Sequence, residues 1–315
     1  MCPMYLCVLK ISNTLHLRFM KNILLGLLFS MLWASASVAT KFGLKSAQPF
    51  VIADVRFFIA GILMLTGAFI VSKTSKQESG GYRLPKKSEW KPLIIYGFLN
   101  VALYLGLFGL AMERVAAGIG TLSIATNPLI ISILSAFYLK KRIPNNIWLG
   151  LLLGMVGVGI ATYPLLLKSY ATPSGIAILL LSMVSYSVGT VYFSSRKWEL
   201  SNLAINGWQV LLGGILLLPL TIFTTDISKN HFDGYFWGSV LWLVIPVSIG
   251  AVQLWLYLLK IDAVKAALWL FLCPIFGFIY AYFLLDEPIT AYTFVGTALV
   301  ILGLYLGQRA NFNKK

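Results

Sequence analysis

Residues 24–70 read LLGLLFSMLWASASVATKFGLKSAQPFVIADVRFFIAGILMLTGAFI, and residues 177–223 read AILLLSMVSYSVGTVYFSSRKWELSNLAINGWQVLLGGILLLPLTIF. Each stretch holds two apolar segments joined by a short polar one. When the second stretch is shifted by 153 residues, four informative pairs align: Trp33 with Tyr186, Ser37 with Thr190, Arg56 with Gln209, and Gly61 with Gly214. This self-similarity predicts an internal repeat built from apolar helices.

A second alignment extends the repeat to the end of each half. At a shift of 146 residues the matching pairs are Pro128 with Pro274, Leu139 with Leu285, Gly150 with Gly296, and Gly157 with Gly303. The shift changes where the polar loop 73–91 is longer than its counterpart 224–234. Each repeat holds five spans, and an odd number of spans turns the second copy upside down in a bilayer. Inverted repeats around one midplane site are typical of secondary transporters.

The composition places the chain in a membrane. Hydrophobic residues make up 59% of the chain, charged residues 11%, and the mean hydropathy is +0.84, which is too apolar for a soluble domain. A backbone in lipid must satisfy its own hydrogen bonds, so the long apolar runs are expected to be helices. We predict an all-α integral membrane protein with ten transmembrane helices, arranged as two inverted five-helix repeats. The predicted spans are 22–40, 49–71, 92–112, 117–138, 147–166, 175–194, 203–223, 235–258, 264–284 and 290–307.

The net charge of +15 follows membrane topology and does not indicate nucleic-acid binding. With a cytoplasmic N-terminus, the cytoplasmic segments hold 19 Lys and Arg residues, the outer segments hold 5, and Arg56 lies within a span. The positive-inside rule then places both termini in the cytoplasm. We therefore expect a multi-pass protein of the inner (plasma) membrane, with membrane lipid as a partner and no nucleic acid.

Four segments follow from this topology. Residues 1–19 lack the small-residue cleavage site of a signal peptide, and Met20 directly precedes the first long apolar run, which makes it a candidate start. The predicted segments are a cytoplasmic N-terminal extension over 1–21, a first repeat over 22–166, a second repeat over 175–308, and a cytoplasmic C-terminal tail over 309–315.

The sequence contains no residue pattern of a metal or catalytic site. Cys2 and Cys7 lie on the predicted cytoplasmic side, where disulfides are disfavoured, and Cys273 lies within a span. His16 and His231 both fall outside the spans. The motifs G-x-S-x-G, Walker A and H-E-x-x-H do not occur. We therefore predict no catalytic residue, no metal and no cofactor.

Two equivalent helical faces carry an aromatic residue followed one turn later by a hydroxyl. Trp33 and Ser37 share a face of the first span, and Tyr186 and Thr190 share a face of the sixth. A pocket on the pseudo-symmetry axis is one interpretation of these faces. Helix packing through small hydroxyl residues is the other.

Asp54 and Arg56 are charged residues inside the predicted second span. Charge at membrane depth is costly, so each residue needs a partner or a role in function. Anchoring at the headgroup level with an inter-helix salt bridge is one interpretation, and contact with a substrate or a gate is the other. Gln209 occupies the position equivalent to Arg56, so the second repeat does not carry this charge.

Amide and phenol groups occupy two further helix faces. Asn100 and Tyr104 are one turn apart in the third span, and Gln253 and Tyr257 are one turn apart in the eighth. These groups can bind a polar substrate without fixed charge. Hydrogen bonding between helices is the alternative.

Prolines interrupt the fourth and ninth spans at equivalent positions, Pro128 and Pro274. Proline removes a backbone hydrogen bond and kinks a helix, and matched interruptions in two halves indicate a transporter's site. Trp269, five residues before Pro274, is a candidate for stacking on a substrate or for the interfacial belt. The predicted substrate-binding residues are Trp33, Ser37, Asn100, Tyr104, Asn127, Tyr186, Thr190, Gln253, Tyr257 and Trp269, with Asp54 and Arg56 as a gate or charge pair.

Four short stretches, in the order in which they occur, carry a family resemblance. They are WASASVATK at 33–41, RFFIAG at 56–61, PIFG at 274–277 and LLDEP at 284–288, followed by Gly296. Together they resemble the EamA type of the drug/metabolite transporter superfamily over nearly the whole chain. The resemblance implies ten helices in an inverted five-plus-five repeat and a central cavity between the halves.

The resemblance also implies a function. Members move small polar or amphipathic metabolites, commonly amino acids or related compounds and often as export, so a small-molecule substrate is the expected partner and a coupled proton is a candidate second one. The glycine usual before the family glutamate is Asp286 here, and Lys140-Lys141 stand where the first copy often has an acid. We therefore assign no coupling function to Glu287. The sequence does not indicate an oligomeric state.

Other function classes stay open as alternatives: an uptake carrier for a cationic or nucleoside-like metabolite, or a non-transporting membrane sensor or scaffold. An embedded enzyme would need a nucleophile with a base or clustered ligands, and the spans hold no histidine. A channel would need a continuous polar lining, whereas the polar groups of the predicted spans gather on a few helix faces. Because little fixed charge lies among the spans, we expect a neutral or zwitterionic substrate and no multiply charged phosphate.

Overall fold

The helices follow the apolar runs of the sequence. A computed structural model describes residues 4–74, 83–167, 172–285 and 289–309. Within these ranges the secondary structure is helical. The ten helices are α1 Met4–Gly43, α2 Pro49–Thr74, α3 Lys87–Met112, α4 Ala117–Tyr138, α5 Asn145–Leu167, α6 Pro173–Ser194, α7 Asn202–Thr224, α8 Gly234–Ile261, α9 Ala263–Leu285 and α10 Ala291–Arg309.

The lengths of these helices match a bilayer. Over the described residues, nine of them contain at least 18 residues with an apolar window long enough to cross a membrane, close to the ~20 residues that a hydrocarbon core requires. In α5 the corresponding apolar stretch is shorter, Asn145–Ala161, and the helical backbone continues to Leu167. The prediction of an all-α membrane protein with ten helices is confirmed.

The structure describes part of the predicted N-terminal extension, whereas most of the predicted C-terminal tail and one loop lie outside the described residues. The backbone of α1 is helical from Met4, so the part of the predicted extension after residue 3 continues the first helix. The apolar part of α1 begins at Met20. Asp286, Glu287 and the predicted tail beyond Arg309 lie outside the described residues.

Local sequence sets the starts of several helices in the second repeat. The side chains of Thr172, Ser201 and Asp233 each accept a hydrogen bond from a backbone amide in the first turn of α6, α7 and α8. Such caps satisfy amides that have no partner within the helix. Pro173 follows the cap of α6, where no amide donor is needed.

Four helices change their hydrogen-bond pattern midway, in repeat-equivalent pairs. π-helical turns occupy Phe98–Leu103 in α3 and Leu243–Ala251 in α8. α4 is interrupted at residues 125–126, and α9 passes through a 3-10 turn at Trp269–Leu272. A shift of 146 residues superposes the members of each pair. Such irregular turns redirect side chains and are frequent at functional sites.

Prolines accompany three of these irregularities. Pro128 and Pro274 lie at the start of the second segments of α4 and α9, and Pro246 lies in the π turn of α8. Because proline has no amide hydrogen, the preceding turn loses one hydrogen bond. The π turn of α3 contains no proline. Of the two equivalent π turns, only the one in α8 is therefore marked by a proline in the sequence.

The pairing of α5 with α10 follows the pseudo-two-fold symmetry of an inverted repeat. A Cβ built on Gly150 would lie 2.5 Å from the carbonyl oxygen of Gly303, and one built on Gly157 would lie 2.6 Å from that of Gly296. Exchanging the two repeats converts the first contact into the second. Small residues let helix backbones approach this closely in lipid. The same exchange converts α2 into α7, and these two helices pack against each other. It also converts the contact between α1 and α9 into the contact between α6 and α4.

The two ends of the bundle differ in their loops. We call the end where α1 begins and α10 ends the terminal side, and the opposite end the distal side. On the distal side the amide of His231 donates to the carbonyl of Ser46, and the amide of Gln48 donates to Asn230 Oδ1, each at 2.7 Å. These bonds join the α1–α2 loop to the α7–α8 loop, so the repeats are in contact at that end.

Candidate functional site

A narrow cavity lies in the distal half of the bundle, between α1, α2, α3 and α8. Its volume is about 40 Å³, enough for a few water molecules. The lining residues are Trp33, Ala36, Ser37, Thr40, Pro49, Ile52, Ala53, Arg56, Phe57, Tyr104, Leu105, Phe108, Gly109, Ile124, Leu243 and Val247. Among them Arg56 alone carries a charge, and most of the others are apolar or aromatic.

A cluster of aromatic rings underlies the cavity at mid-depth and forms its floor, in which Trp33 and Tyr104 are the lining residues. The ring centroids of Trp33 and Tyr186 lie 5.9 Å apart, and those of Tyr104 and Tyr186 lie 4.8 Å apart. Tyr186 stacks on Trp255 at 5.8 Å, and Trp255 stacks on Phe29 at 5.0 Å. All five side chains are buried. Each such ring pair contributes about 0.5–1.5 kcal/mol beyond area burial, so the floor is a stable wall in this conformation.

A chain of hydrogen bonds leads from the cavity into the terminal half. Arg56 Nε donates to Ser248 Oγ at 2.8 Å. Asn206 Nδ2 donates to the backbone carbonyl of Ser248 at 2.7 Å, and Gln209 Nε2 donates to Asn206 Oδ1 at 2.9 Å. Arg56 and Gln209 are equivalent residues of the two repeats, so the chain joins equivalent positions across the pseudo-symmetry axis.

Asp54 and Arg56 do not form the ion pair that the sequence suggested. The Thr221 hydroxyl on α7 donates to Asp54 Oδ2, whereas Arg56 donates to Ser248 on α8. Residues two positions apart on a helix point about 200° away from each other, so the two side chains reach different helices. Their exposed fractions of 5% and 6% show that both side chains are packed inside the bundle. Asp54 fastens α2 to α7, and Arg56 lines the cavity.

The space equivalent to the cavity in the terminal half is filled by side chains. A shift of 146 residues places Trp255 on Gly109, which lines the distal cavity. The Trp255 side chain is 1% exposed and fills the space in the terminal half that corresponds to the position of Gly109. Phe193, the equivalent of Thr40, is also buried and stacks on Trp198 at 5.4 Å. Two large buried rings therefore stand in the terminal half where the distal half has a glycine and a threonine.

Ion pairs join the two repeats at the terminal side. Glu199, which follows α6, accepts from Arg83 at 3.2 Å and from Lys86 at 2.7 Å. Arg83 also donates to Glu89 at 2.6 Å, and this hydrogen bond raises the pKa of Arg83 above its ordinary value. Arg83 and Lys86 precede α3, so the cluster bridges a loop of each repeat next to the packed half.

The cavity brings together four of the residues predicted from the sequence: Trp33, Ser37, Arg56 and Tyr104. The Ser37 hydroxyl is buried and, among the described residues, has no hydrogen-bond partner. Tyr186 contributes to the floor, as the ring contacts above establish. Thr190 is fully buried one turn further along α6.

Asn127 and Trp269 lie at helix interfaces away from the cavity. Asn127 Oδ1 accepts from Ser187 Oγ at 2.9 Å, which ties α4 to α6. The Trp269 ring packs against Gly26, and its backbone carbonyl accepts from Ser30 Oγ at 2.8 Å, which ties α9 to α1. In this conformation both residues therefore pack helices against each other, and Trp269 is buried.

Asn100, Gln253 and Tyr257 also lie outside the cavity lining. Asn100 is buried in the π turn of α3, against α6 at Gly189. Gln253 Nε2 donates to the backbone carbonyl of Asn202, the first residue of α7, at 3.4 Å. Tyr257 is 37% exposed near the terminal side, with Lys21 Nζ 5.7 Å from its ring centroid. Gln253 and Tyr257 lie in the terminal part of α8 and cannot reach the distal cavity, and Asn100 packs against α6 instead.

Sequence reasoning missed several residues that shape the cavity and its floor, above all Ser248, Asn206, Trp255 and Phe29. Ser248 and Trp255 lie in apolar α8, where no ideal helical periodicity selects them. One signal was available: at the shift of 146 residues, Trp255 falls on Gly109, the largest size difference between equivalent residues of the two halves. Proximity to Pro246 would have selected Ser248.

Comparison with known proteins places this geometry in a family. The model of the EamA-like transporter family matches residues 20–163 and, a second time, residues 173–307. The chain belongs to the EamA-like transporter family. The resemblance drawn from the short motifs is thereby confirmed, and EamA-like membership makes the protein a membrane transporter and not an enzyme.

Named relatives of this EamA-like chain cover most of its length. It is 27% identical over 294 residues to the uncharacterized transporter sll0355 of Synechocystis sp., which covers 87% of this chain and 86% of the relative. It is 24% identical over 285 residues to Protein PecM of Dickeya dadantii, covering 88% of each. A crystal structure of a protein with 20% identity superposes with a TM-score of 0.70 over 91% of this chain and 96% of that one. That likeness supports the fold.

Proposed function

We propose that this EamA-like protein is a secondary transporter that moves a small polar or amphipathic metabolite, such as an amino acid or a related compound, by alternating access. The observation that carries the proposal is the difference between the two halves. A cavity lies beside the axis on the distal side, and its counterpart on the terminal side is filled by Trp255 and Phe193. An inverted repeat can exchange these two arrangements.

The contacts between the repeats support such an exchange. The α5–α10 interface consists of close glycine contacts that the symmetry preserves, whereas the terminal-side cluster around Glu199 consists of exposed ion pairs. Exposed ion pairs are worth about 0–1 kcal/mol each. Rocking of the halves would break these weak contacts and leave the glycine interface in place.

The orientation and membrane are part of the proposal. The excess of Lys and Arg on the terminal side, 19 against 5, supports a cytoplasmic terminal side and a location in the inner (plasma) membrane. The cavity then lies in the outer half of the bundle. Export is the direction we propose, by the family resemblance.

Counterflow in proteoliposomes tests the proposal. Liposomes loaded with one unlabelled metabolite class at a time should accumulate label for the substrate class. Trp33→Ala and Tyr186→Ala should abolish accumulation because the two rings pack against each other at the cavity floor. Trp237→Ala, at a ring that is 43% exposed, should retain it. Absence of counterflow with every class, from protein shown to be folded, would leave a sensor or scaffold.

A further inference from the structure

Arg56 is a buried cation without an acidic partner. Its side chain is 6% exposed and lines the cavity. Its one hydrogen bond within the described residues runs from Nε to the neutral hydroxyl of Ser248. No carboxylate of the described residues lies within ion-pair distance of it, because Asp54 turns toward Thr221. The two terminal nitrogens of the guanidinium are thus available to a molecule in the cavity.

Such a charge is costly unless something compensates it. A buried, unpaired ion in a low-dielectric interior loses several kcal/mol of hydration, and the cost is largest within a membrane. The second repeat avoids it by placing Gln209 at the equivalent position. The first repeat therefore keeps a cationic guanidinium that helix packing does not require, at the side of the axis where the cavity lies.

The surroundings of Arg56 define the chemistry of a matching ligand. The guanidinium presents two parallel N–H donors, a geometry that suits a carboxylate. Ser37 also lines the cavity, but its hydroxyl oxygen is buried beside Gly120, so Arg56 is the donor that faces the cavity. The remaining wall is apolar and aromatic, including Trp33, Tyr104 and Phe108.

The same lining disfavours other ligands. A phosphate monoester would bring about two negative charges against one guanidinium. A cationic metabolite would meet Arg56 without any carboxylate among the described lining residues. For the same reason an ammonium group has no charged partner in this wall.

We infer that Arg56 binds the carboxylate of the transported molecule and that the substrate is an amphipathic monocarboxylate with its apolar or aromatic body against Trp33 and Tyr104. This inference rests on the proposed function and adds the substrate class. If the substrate is an amino acid, we expect its α-amino group to contribute nothing to binding. The cavity must widen from its present volume to admit such a molecule, as the opening step of alternating access requires.

Binding to the purified full chain in detergent tests the inference without requiring transport. Affinities for 3-phenylpropionate, its neutral amide and L-phenylalanine would be measured by thermal shift and calorimetry, together with the pair isovalerate and isovaleramide. We expect each acid to bind about 10- to 100-fold more tightly than its amide, the range of a charge-assisted hydrogen-bonded pair. 3-Phenylpropionate should bind at least as tightly as L-phenylalanine.

Three variants separate binding by Arg56 from a structural role. Arg56→Gln, which copies Gln209 of the other repeat, should remove the preference for acid over amide. Arg56→Lys should keep a reduced preference, because it retains the charge without the two-pronged geometry. Arg114→Gln, at an exposed arginine on the distal side, should leave the preference unchanged. If Arg56→Gln fails to fold, the acid–amide comparison on the natural protein and on Arg56→Lys still decides.

The outcomes distinguish this inference from the proposed function. Equal binding of acids and amides, no binding of any acid, or protection by chloride or inorganic phosphate alone would overturn the inference. Counterflow of uncharged compounds that survives Arg56→Gln would also overturn it and leave the transporter in place. Arg56-dependent binding of acids without counterflow would support the carboxylate site and count against transport.

Discussion

Trp33 and Tyr186 occupy the same position in the two repeats, and their rings face each other across the pseudo-symmetry axis with centroids 5.9 Å apart. A residue and its repeat equivalent can touch only where the two-fold axis passes between them. This pair therefore locates the axis within the bundle. The cavity begins on one side of the pair and the packed core with Trp255 on the other, so the pair separates the two halves.

Trp255 should act as the plug of the terminal half. Trp255→Ala should expose that half, because it removes the ring that fills the space corresponding to Gly109 on the distal side. A cysteine placed at Asn206, in a background lacking Cys2, Cys7 and Cys273, should then react faster with a thiol reagent. Removal of a buried Trp also costs about 3–5 kcal/mol, so the thermal midpoint should fall.

The matched control for the plug is Trp237→Ala, on the same helix. Trp237 is 43% exposed, so its removal should change neither the labelling rate nor the stability appreciably. Equal labelling of the Asn206 cysteine in the natural and Trp255→Ala backgrounds would show that other side chains close the terminal half.

The α5–α10 interface should tolerate no side chain at Gly296. Gly296→Leu inserts carbon atoms where even a Cβ would overlap the carbonyl oxygen of Gly157. Overpacking of this kind costs about 1–3 kcal/mol. We expect a lower thermal midpoint and loss of the monodisperse peak in size-exclusion chromatography.

Gly159 provides a control for that substitution within the same interface region. A Cβ built at Gly159 meets no atom of the described residues within 4 Å, so Gly159→Leu should keep the natural elution profile and stability. If both variants behave alike, the close glycine contact is not what holds α5 against α10.

Ser248 should hold the Arg56 side chain in the cavity wall. Ser248→Ala removes the acceptor of the Arg56 Nε hydrogen bond and leaves that donor buried, a loss of about 1–3 kcal/mol. We expect weaker substrate binding, read as a higher KM in counterflow, together with a lower thermal midpoint. Ser195→Ala, at an exposed serine after α6, is the control. An unchanged KM in Ser248→Ala would show that Arg56 is positioned by other contacts.

The terminal-side ion pairs should affect conformation more than stability. Glu199→Gln removes the shared partner of Arg83 and Lys86. These groups are exposed, so the free energy of unfolding should change by less than about 1 kcal/mol. The Asn206 cysteine should be labelled faster in Glu199→Gln than in the natural background. High salt screens the ion pairs of the natural background, so the difference in labelling rate should disappear there.

An exposed acid on the other side serves as the comparison for Glu199. Glu113→Gln, at the distal end of α3, should leave the labelling rate unchanged. A labelling rate that is insensitive to Glu199→Gln as well would mean that the cluster plays no part in closing the terminal side.

Part of the cavity lining could be predicted from the sequence. Trp33, Ser37 and Tyr104 were found because an aromatic or polar residue in an apolar helix stands out, and regular α-helical spacing places it on a known face. Gln253 and Tyr257 share a face by the same spacing, yet they lie outside the cavity lining, because they are in the terminal part of α8 and the cavity is in the distal half. Helical spacing predicts which residues share a face, but it does not predict which half of the bundle holds the cavity.

The sequence by itself determined the membrane class, the ten helices and the inverted repeat. Apolar length, backbone hydrogen bonding in lipid and self-similarity are all properties of the linear chain. Only the tertiary structure decided that Asp54 and Arg56 bind different helices. It also decided that Ser248 and Asn206 link Arg56 to Gln209. In the same way, it decided that Trp255 fills space in one half while Gly109 leaves space in the other. Those outcomes depend on which faces of distant helices meet, and the free energies that select them belong to contacts between the repeats.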